Sequence, residues 1–308
     1  MNAKLRNGLS AIGLLVLLIV IGQLFNRATS PVEVNPPKKL MYKPMKVPKQ
    51  LDFAGEKVPL EYIDVYESMD REMQVNAYWH SQALFILKRA DRYFKVIEPI
   101  LKAQGVPEDF KYLAVAESGL VDRAKSPAGA VGIWQFMRTT GREYGLQINS
   151  EVDERYHLEK STKAACKYLK KNYEKFGSWT MVAATYNAGR SHILKQIARQ
   201  KVNNYYDLLL NEETSRYVFR ILALKQLLNN SEKFGFKVND SDKYPFIPTT
   251  KVAVKTKVAN FAQFALDHGI NYKILKQFNP WLRQNYLTNK AGKTYHIAIP
   301  EKGYRIKK

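Results

Sequence analysis

Three stretches of the sequence combine residue types that can do chemistry. VAESGL, at 115–120, carries a glutamate, Glu117, after small apolar residues. SPAGAVGIWQFM, at 126–137, places two glycines before an aromatic residue and an amide, and AATYNAGR, at 183–190, places a tyrosine and an asparagine before a glycine. Carboxyl, amide and hydroxyl groups transfer protons or form hydrogen bonds with a polar substrate.

The position of Glu117 is compatible with two interpretations. Phe110, Leu113, Ala114 and Glu117 are spaced i, i+3, i+4 and i+7, which puts the carboxylate on the apolar face of a helix. A glutamate at a helix end can simply extend into solvent. Alternatively, desolvation in an apolar wall raises its pKa, so that it stays protonated and can donate to a leaving oxygen.

The other two stretches are equally open when taken singly. Gly129 and Gly132 permit tight turns and close approach of a ligand, and Trp134 beside Gln135 would suit a sugar, which has apolar faces and hydroxyl edges. An ordinary loop with core aromatic residues fits the same letters. Asn187 and Gly189 can be mere helix terminators.

Helical patterns dominate the region that must position these stretches. Gly119 predicts the end of the helix that carries Glu117, after Pro107 in its first turn. The region from about 58 to 228 therefore predicts a mostly α domain, with helices at 70–79, 81–103, 108–118, 135–144, 157–176, 178–187, 190–200 and 213–230.

The composition changes after residue 239. Short β-prone runs, two short helical patterns (NFAQFALDHG and NYKILKQFNP) and the strand-like KTYHIAIP follow one another. This order predicts a small β-α-α-β module.

The N-terminal segment indicates export from the cytoplasm. Lys4 and Arg6 precede an uncharged apolar stretch at 9–25, which is typical of a cleaved signal or a retained membrane anchor. We favour the anchor for residues 1–30, because Pro31 would hinder a signal peptidase. A lipoprotein is excluded, since no cysteine follows the stretch. Residues 31–50 are rich in Pro and Lys and predict a tether.

Charge and cysteine content narrow the function classes. The net charge of +21 predicts attraction to a polyanion, whether nucleic acid, anionic lipid or acidic cell-wall polymer. The basic residues are scattered and form no known nucleic-acid module, so we expect no nucleic-acid partner. The single cysteine, Cys166, excludes an intramolecular disulfide and a multi-cysteine metal site, and its helical context predicts a core position.

Taken together and in order, the motifs resemble the lytic transglycosylases of the lysozyme superfamily, over about 58–230. The resemblance rests on Glu117-Ser118, on Gly129 to Met137, on the Tyr-Asn-Ala-Gly run at 186–189 and on ETSRYV with Tyr217. Three departures concern size rather than function: Ile133-Trp134, Arg138 and Thr185.

Within that family, the WQF variant and the C-terminal module are most similar to the membrane-bound lytic murein transglycosylase D subgroup. The module itself resembles a LysM repeat without the usual Gly-Asp-Thr start. That departure leaves open whether it binds glycan or only packs.

The resemblance implies a mainly α protein and a location on the periplasmic side of a bacterial cell envelope. The expected organisation is a lysozyme-like transglycosylase domain at 51–240 and a βααβ LysM-like module at 246–308. The N-terminal apolar segment would supply the contact with the membrane.

The resemblance also implies a reaction that needs neither a metal nor an organic cofactor. Glu117 would act first as acid and then as base on peptidoglycan glycan strands, closing a 1,6-anhydro ring on N-acetylmuramic acid. Residues expected to bind the substrate or orient Glu117 are Ser118 and Ser126, Gln135 and Met137, and Tyr186, Asn187 and Tyr217.

Two alternatives remain at the level of sequence. A hydrolytic lysozyme of the same superfamily would need a positioned water or a second carboxylate, and Asp122 or Asp153 would have to lie across the groove. An inactive scaffold that grips peptidoglycan would have no use for a buried glutamic acid.

Overall fold

The computed structural model describes residue 23 and residues 44–305. The predicted anchor stretch at 9–25 and the first part of the predicted tether, up to residue 43, lie outside the described residues, residue 23 apart. Among the described residues, none of the helices has the length and apolar character needed to cross a bilayer.

Eight α-helices lie between residues 63 and 229. They are α1 (Ile63–Tyr78), α2 (His80–Ala103), α3 (Phe110–Ser118), α4 (Arg138–Glu143), α5 (Leu158–Phe176), α6 (Trp179–Ala188), α7 (Arg190–Gln200) and α8 (Glu212–Asn229). The predicted mainly α fold is therefore confirmed, and Cys166 is a fully buried core residue as expected.

Two helix boundaries differ from the predictions by three residues or more. Helix α1 begins at Ile63 rather than 70, and Val65 and Met69 in its first turns are buried. Helix α4 begins at Arg138 rather than 135, because Gln135 adopts a left-handed backbone (φ 45°) and Met137 is extended. Hydrophobic periodicity in the sequence does not predict the backbone conformation of single residues such as these.

A short hairpin of β1 (Asp52–Phe53) and β2 (Glu56–Lys57) precedes α1. The Glu56 carboxylate accepts hydrogen bonds from Ser178 Oγ (2.8 Å) and from the Thr180 backbone N–H (2.9 Å). A carboxylate at this position stabilises the N-terminus of α6, where unpaired N–H groups carry partial positive charge.

The same hairpin also binds α3 and α8. Asp109, at the start of α3, accepts from the Ala54 N–H and from Lys225 Nζ of α8, both at 2.7 Å. The buried Phe53 ring packs edge-on against Phe110, with ring centroids 5.2 Å apart. The hairpin thus ties together the three helices that carry Glu117, Tyr186 and Tyr217.

The C-terminal module has the predicted β-α-α-β order: β3 (Thr249–Val254), α9 (Phe261–Asp267), α10 (Tyr272–Phe278) and β4 (Tyr295–Pro300). Its strands pair antiparallel, with Val252 opposite Ile297. Asn260 and Asn271 cap the two helices through their side-chain oxygens. The module has its own apolar core, to which the preceding helical domain contributes Val152.

Candidate active site

Glu117 lies in the last turn of α3. The helix ends there because Gly119 adopts a left-handed conformation (φ 57°) and its N–H bonds the Val115 carbonyl at 2.8 Å. A Cβ at Gly119 would also lie 2.7 Å from Gln82 Nε2, so the end of that side chain would have to move. Phe110, Leu113 and Ala114 are fully buried, which confirms the predicted apolar face. Helix α3 therefore presents one carboxyl group at the edge of the core.

The direct partner of that carboxyl is Tyr217 of α8, which is almost fully buried. Its hydroxyl donates a hydrogen bond to Glu117 Oε1. Glu117 Oε2 makes no hydrogen bond within the part of the chain that the structure describes. One carboxyl oxygen is thus fixed by the protein, and the other remains available to a substrate.

Burial raises the pKa of Glu117 from its ordinary 4.5 to about 7. The hydrogen bond from Tyr217 acts in the opposite direction and lowers the pKa, as does the positive charge of Arg220. The negative charge of Glu213 raises it. Desolvation is the largest of these effects, and Glu117 is therefore a carboxylic acid that stays substantially protonated near neutral pH.

Arg220, whose positive charge acts on Glu117, also lies near the buried carboxylate of Glu72. Glu72 of α1, only 1% exposed, accepts from Arg216 Nε at 2.6 Å and lies 3.9 Å from Arg220 Nε. Its Oε2 has no hydrogen-bond partner among residues 44–305. Arg220 therefore interacts with two carboxyl groups, and its lowering effect on the pKa of Glu117 is smaller than the raising effect of burial.

Helix α6 carries Tyr186, which interacts electrostatically with Glu117, and Asn187, which bonds the first turn of α8. The Tyr186 hydroxyl donates to the Trp134 carbonyl at 2.7 Å, and the negative charge of Glu117 contributes to raising the Tyr186 pKa. Asn187 donates from Nδ2 to Glu213 at 3.2 Å and accepts from Thr214 Oγ1 at 2.8 Å. The end of α6 is thereby fixed to the first turn of α8.

The glycine-rich loop passes close to the backbone of Arg155, and this close approach requires glycine at position 132. A Cβ at this position would lie 2.2 Å from the Arg155 carbonyl oxygen, and its φ is 80°. Only glycine allows so close a backbone approach.

The Arg155 side chain fixes the glycine-rich loop through hydrogen bonds to two of its backbone carbonyls. Its Nη1 donates to the Phe136 and Gly129 carbonyls at 3.0 and 3.2 Å, while Nε and Nη2 bind the Asp153 carboxylate at 2.9 and 2.8 Å. Both side chains are buried. The two ends of the loop are therefore held by one guanidinium group.

The predicted loop residues have different surroundings. Ser126 exchanges hydrogen bonds with the backbone of Ala130, and Gln135 donates to the Gly132 carbonyl at 2.8 Å. Met137 is 42% exposed beside them. Trp134 is fully buried and donates to Thr162 Oγ1, so it is a core residue and not a sugar platform.

Ser118 is occupied by its own helix. Its hydroxyl donates to the Ala114 carbonyl at 3.0 Å and accepts from the Leu120 N–H at 3.1 Å. Of the predicted residues, the structure therefore joins Tyr217 to Glu117 directly and Tyr186 through their electrostatic interaction, whereas Ser118 completes the helix end.

The sequence interpretation missed the charged residues around this group. Glu213 and Arg220 lie four residues before and three after Tyr217, so helical spacing from that tyrosine would have placed them on its face. No sequence signal identifies Glu72, which comes from a distant helix. Asp153 appeared only as a spare carboxylate, and its pairing with Arg155 requires the folded loop.

Two parts of the chain match known protein families. A family model described as "Transglycosylase SLT domain" matches residues 95–209, and one described as "Soluble lytic transglycosylase C-terminal LysM-like domain" matches residues 250–303. The chain is 30% identical over 258 residues to "Membrane-bound lytic murein transglycosylase D" of Escherichia coli strain K12. That match covers 81% of this chain and 55% of the relative, so the chain spans little more than half of the relative's length.

Solved structures of two lytic transglycosylases are similar at a lower level. The 70 kDa soluble lytic transglycosylase of Escherichia coli is 19% identical, with a TM-score of 0.39, and the match covers 50% of this chain and 27% of that one. An inactive mutant of the lytic transglycosylase Slt from Pseudomonas aeruginosa is 18% identical, with a TM-score of 0.36, over 49% of this chain and 26% of that one.

Proposed function

Since the chain carries a transglycosylase SLT domain and a LysM-like domain, we propose that it is a peptidoglycan lytic transglycosylase. It would cleave the β-1,4 bond between N-acetylmuramic acid and N-acetylglucosamine without water and leave a 1,6-anhydromuramyl end. The observation that carries this proposal is Glu117, a single carboxyl group whose pKa is raised to about 7 and which has one free oxygen.

In the first step, Glu117 acts as the general acid. Its proton, on Oε2, passes to the glycosidic oxygen while the bond from that oxygen to C1 of the muramyl sugar breaks. The hydrogen bond from Tyr217 holds Oε1 and stabilises the carboxylate that forms. The N-acetyl carbonyl of the substrate stabilises the positive charge that develops at C1.

In the second step, the same group acts as the base. The Glu117 carboxylate takes the proton of the muramyl C6 hydroxyl, whose oxygen bonds to C1 and closes the anhydro ring. Glu117 is then protonated again, and no water has been consumed. The pKa of about 7 suits both roles, because neither protonation state is strongly disfavoured near neutral pH.

The remaining predicted site residues would hold the sugar in this position. Ser126, Gln135 and Met137 belong to the loop held by Arg155, and Met137 offers an exposed apolar surface for a sugar ring. Tyr186 and Asn187 would orient the substrate next to Glu117. Ser118 would act through the end of α3, on which the direction of Glu117 depends.

A hydrolytic lysozyme is less well supported, because such enzymes use a second carboxyl group. Asp153 is neutralised by its buried pair with Arg155, and Glu154 is paired with Lys160. The groups that act on the pKa of Glu117 include neither Asp122 nor Asp153, whereas Glu213 is among them. Glu213 is accordingly the carboxylate to test for a hydrolytic role.

The test is mass spectrometry of the muropeptides released from purified peptidoglycan by the full-length chain and by Glu117→Gln. We expect 1,6-anhydromuramyl ends from the wild type and none from the variant. Reducing ends, heavier by one water, would overturn the proposal in favour of a hydrolase. Binding to peptidoglycan without release would favour an inactive scaffold.

The proposal extends to location and organisation. A domain at 51–240 would perform the reaction and a module at 246–308 would accompany it, on the periplasmic side of the envelope, with residues 1–30 as a membrane anchor and 31–50 as a tether. The name of the Escherichia coli relative and the basic apolar N-terminus support this arrangement. Fractionation of cells that produce the full chain, with and without residues 1–30, tests it.

A further inference from the structure

A cleft of about 630 Å³ lies between the SLT domain and the LysM-like module. One wall is made by α2 and by the segment 120–123, which follows Glu117 and the end of α3. The opposite wall is made by β3, by residues 277–281 at and beyond the end of α10, and by β4. None of the predicted substrate-binding residues lines this cleft, so it is separate from the site around Glu117.

The cleft walls carry more positive than negative charge. Arg89, Arg92, Arg123 and Lys251 face two carboxylates, Asp122 and Glu159. Lys251 is paired with Glu159 at 2.6 Å, but the three arginines form no ion pair with a carboxylate among the described residues.

Each of the three arginines donates to a backbone carbonyl, and Arg92 also hydrogen-bonds the Tyr93 side chain. Arg89 donates to Gly119 at 3.1 Å, Arg92 to Pro245 at 3.0 Å, and Arg123 to Lys276. A guanidinium group has five N–H donors in a planar fork that matches a carboxylate. Burial raises the pKa of Asp122 and is the larger effect, whereas its electrostatic interactions with Arg123 and Arg92 lower that pKa.

The cleft is also a preformed structure with aromatic walls. Tyr93 and Tyr156 from one side and Trp281 from the other line it. The two sides are joined by the Lys251–Glu159 pair and by the Asp153 N–H, which bonds the Trp281 carbonyl at 2.9 Å. A ligand would therefore enter without the cost of ordering the walls.

We propose that this interdomain cleft binds the acidic peptide stem of peptidoglycan through its unpaired arginines. The peptide as ligand rests on the proposed function, whereas the preference for a carboxylate rests on the charge of the cleft. A neutral N-acetylated sugar chain would use the aromatic walls but not the excess of guanidinium groups. The chain would accordingly hold a stem-bearing strand at two places, by its glycan at Glu117 and by its peptide in the cleft.

The first test is calorimetric titration of the full-length chain carrying Glu117→Gln with N-acetyl-L-alanyl-γ-D-glutamyl-meso-diaminopimelate, which bears three carboxylates and one ammonium group. We expect saturable binding that weakens with added salt. The same peptide with its carboxylates amidated should bind at least about tenfold more weakly, as expected for loss of charge-assisted hydrogen bonds. Equal binding of the two peptides would overturn the proposal, and so would binding of an N-acetylglucosamine tetramer in the cleft in place of the peptide.

Matched arginine variants locate the binding. Arg92→Gln should raise the Kd of the tripeptide at least about tenfold, whereas Arg199→Gln, an exposed arginine of α7 outside the cleft, should leave it unchanged. Because Arg92 also contacts the Pro245 carbonyl, the thermal unfolding of each variant is compared with that of the parent chain. A benzophenone-bearing tripeptide, photolysed with the chain free of arginine substitutions, should label the cleft walls; labelling elsewhere only would contradict the proposal.

Failure of this inference and failure of the proposed function are distinguishable. Anhydromuropeptides released by a chain that does not bind the tripeptide would leave the function intact and exclude the cleft. Tripeptide binding in a chain that releases no anhydromuropeptides would support the cleft and exclude the function.

Discussion

Two carboxyl groups, the partly buried Glu117 and the buried Asp153, show how the surroundings decide what a carboxyl can do. Asp153 is held by the Arg155 guanidinium at two points, within hydrogen-bond distance and out of water. Glu117 has a neutral tyrosine as its direct partner, and the nearby Arg220 is shared with Glu72. The paired carboxylate positions a loop, whereas the one without a direct cation has its pKa raised to about 7 and can move a proton.

The comparison teaches that burial alone does not make a catalytic group. Burial penalises the charge of any carboxyl, and a nearby guanidinium group offsets that penalty. At a site for proton transfer, the desolvation penalty on the carboxylate must be only partly offset. The pKa is then raised enough for both protonation states to be populated near neutral pH. The following predictions separate the two environments, beginning with the largest expected effect.

Glu117→Gln should lower the rate of anhydromuropeptide release by roughly 10²–10⁴-fold, because the amide keeps the shape of the side chain but cannot transfer a proton. The rate is measured by chromatography of soluble muropeptides at saturating peptidoglycan. Circular dichroism should show an unchanged fold. A rate within a few-fold of wild type would show that Glu117 is not the catalytic acid, and the proposed difference in role between Glu117 and Asp153 would be wrong.

Asp153→Asn should lower the free energy of unfolding by about 3–5 kcal/mol, because it leaves the buried Arg155 without its counter-charge. Urea denaturation measures this loss. The control is Glu143→Gln, which removes an exposed partner of Lys171 and should change stability by less than about 1 kcal/mol. Equal effects of the two variants would mean that the buried pair is not structural.

Stability should depend on pH in a way that identifies Glu117. Its pKa rises from 4.5 in the unfolded chain to about 7 in the folded one, so the stabilisation present below 4.5 is lost as pH rises through 7. The Glu117→Gln variant lacks this loss. We expect its unfolding free energy to exceed that of wild type by up to about 3 kcal/mol more at pH 8 than at pH 4. Parallel pH dependences in the two proteins would contradict the raised pKa.

The smallest effect concerns the two charges nearest to the carboxyl. The kcat/KM should fall as pH rises through the pKa of Glu117, since the acid must be protonated. Arg220→Gln removes a cation that lowers this pKa and should move the fall to higher pH, and Glu213→Gln removes an anion and should move it to lower pH. Each shift should be a fraction of a pH unit, because water and salt screen the charges. Shifts in the same direction would show that these charges do not act on Glu117.

Helix patterns and local motifs were predictable from the sequence to a large extent. The spacing of Phe110, Leu113 and Ala114 determined which face of α3 is buried, and Gly119 determined where the helix ends. The β-α-α-β order of the module also followed from local letters. Helix faces, helix ends and the order of elements depend on residues close together along the chain, and these can be recognised directly in the sequence.

Only the tertiary structure decided the chemistry of Glu117. Tyr217 lies on another helix, Glu72 comes from an earlier one, and the hairpin that ties α3, α6 and α8 precedes them all. The sequence by itself determined that a carboxyl group stands at the end of an apolar helix face. Whether it is neutralised, as Asp153 is, or kept as an acid depends on which long-range partners reach it, because the pKa is set by distances that chain order does not contain.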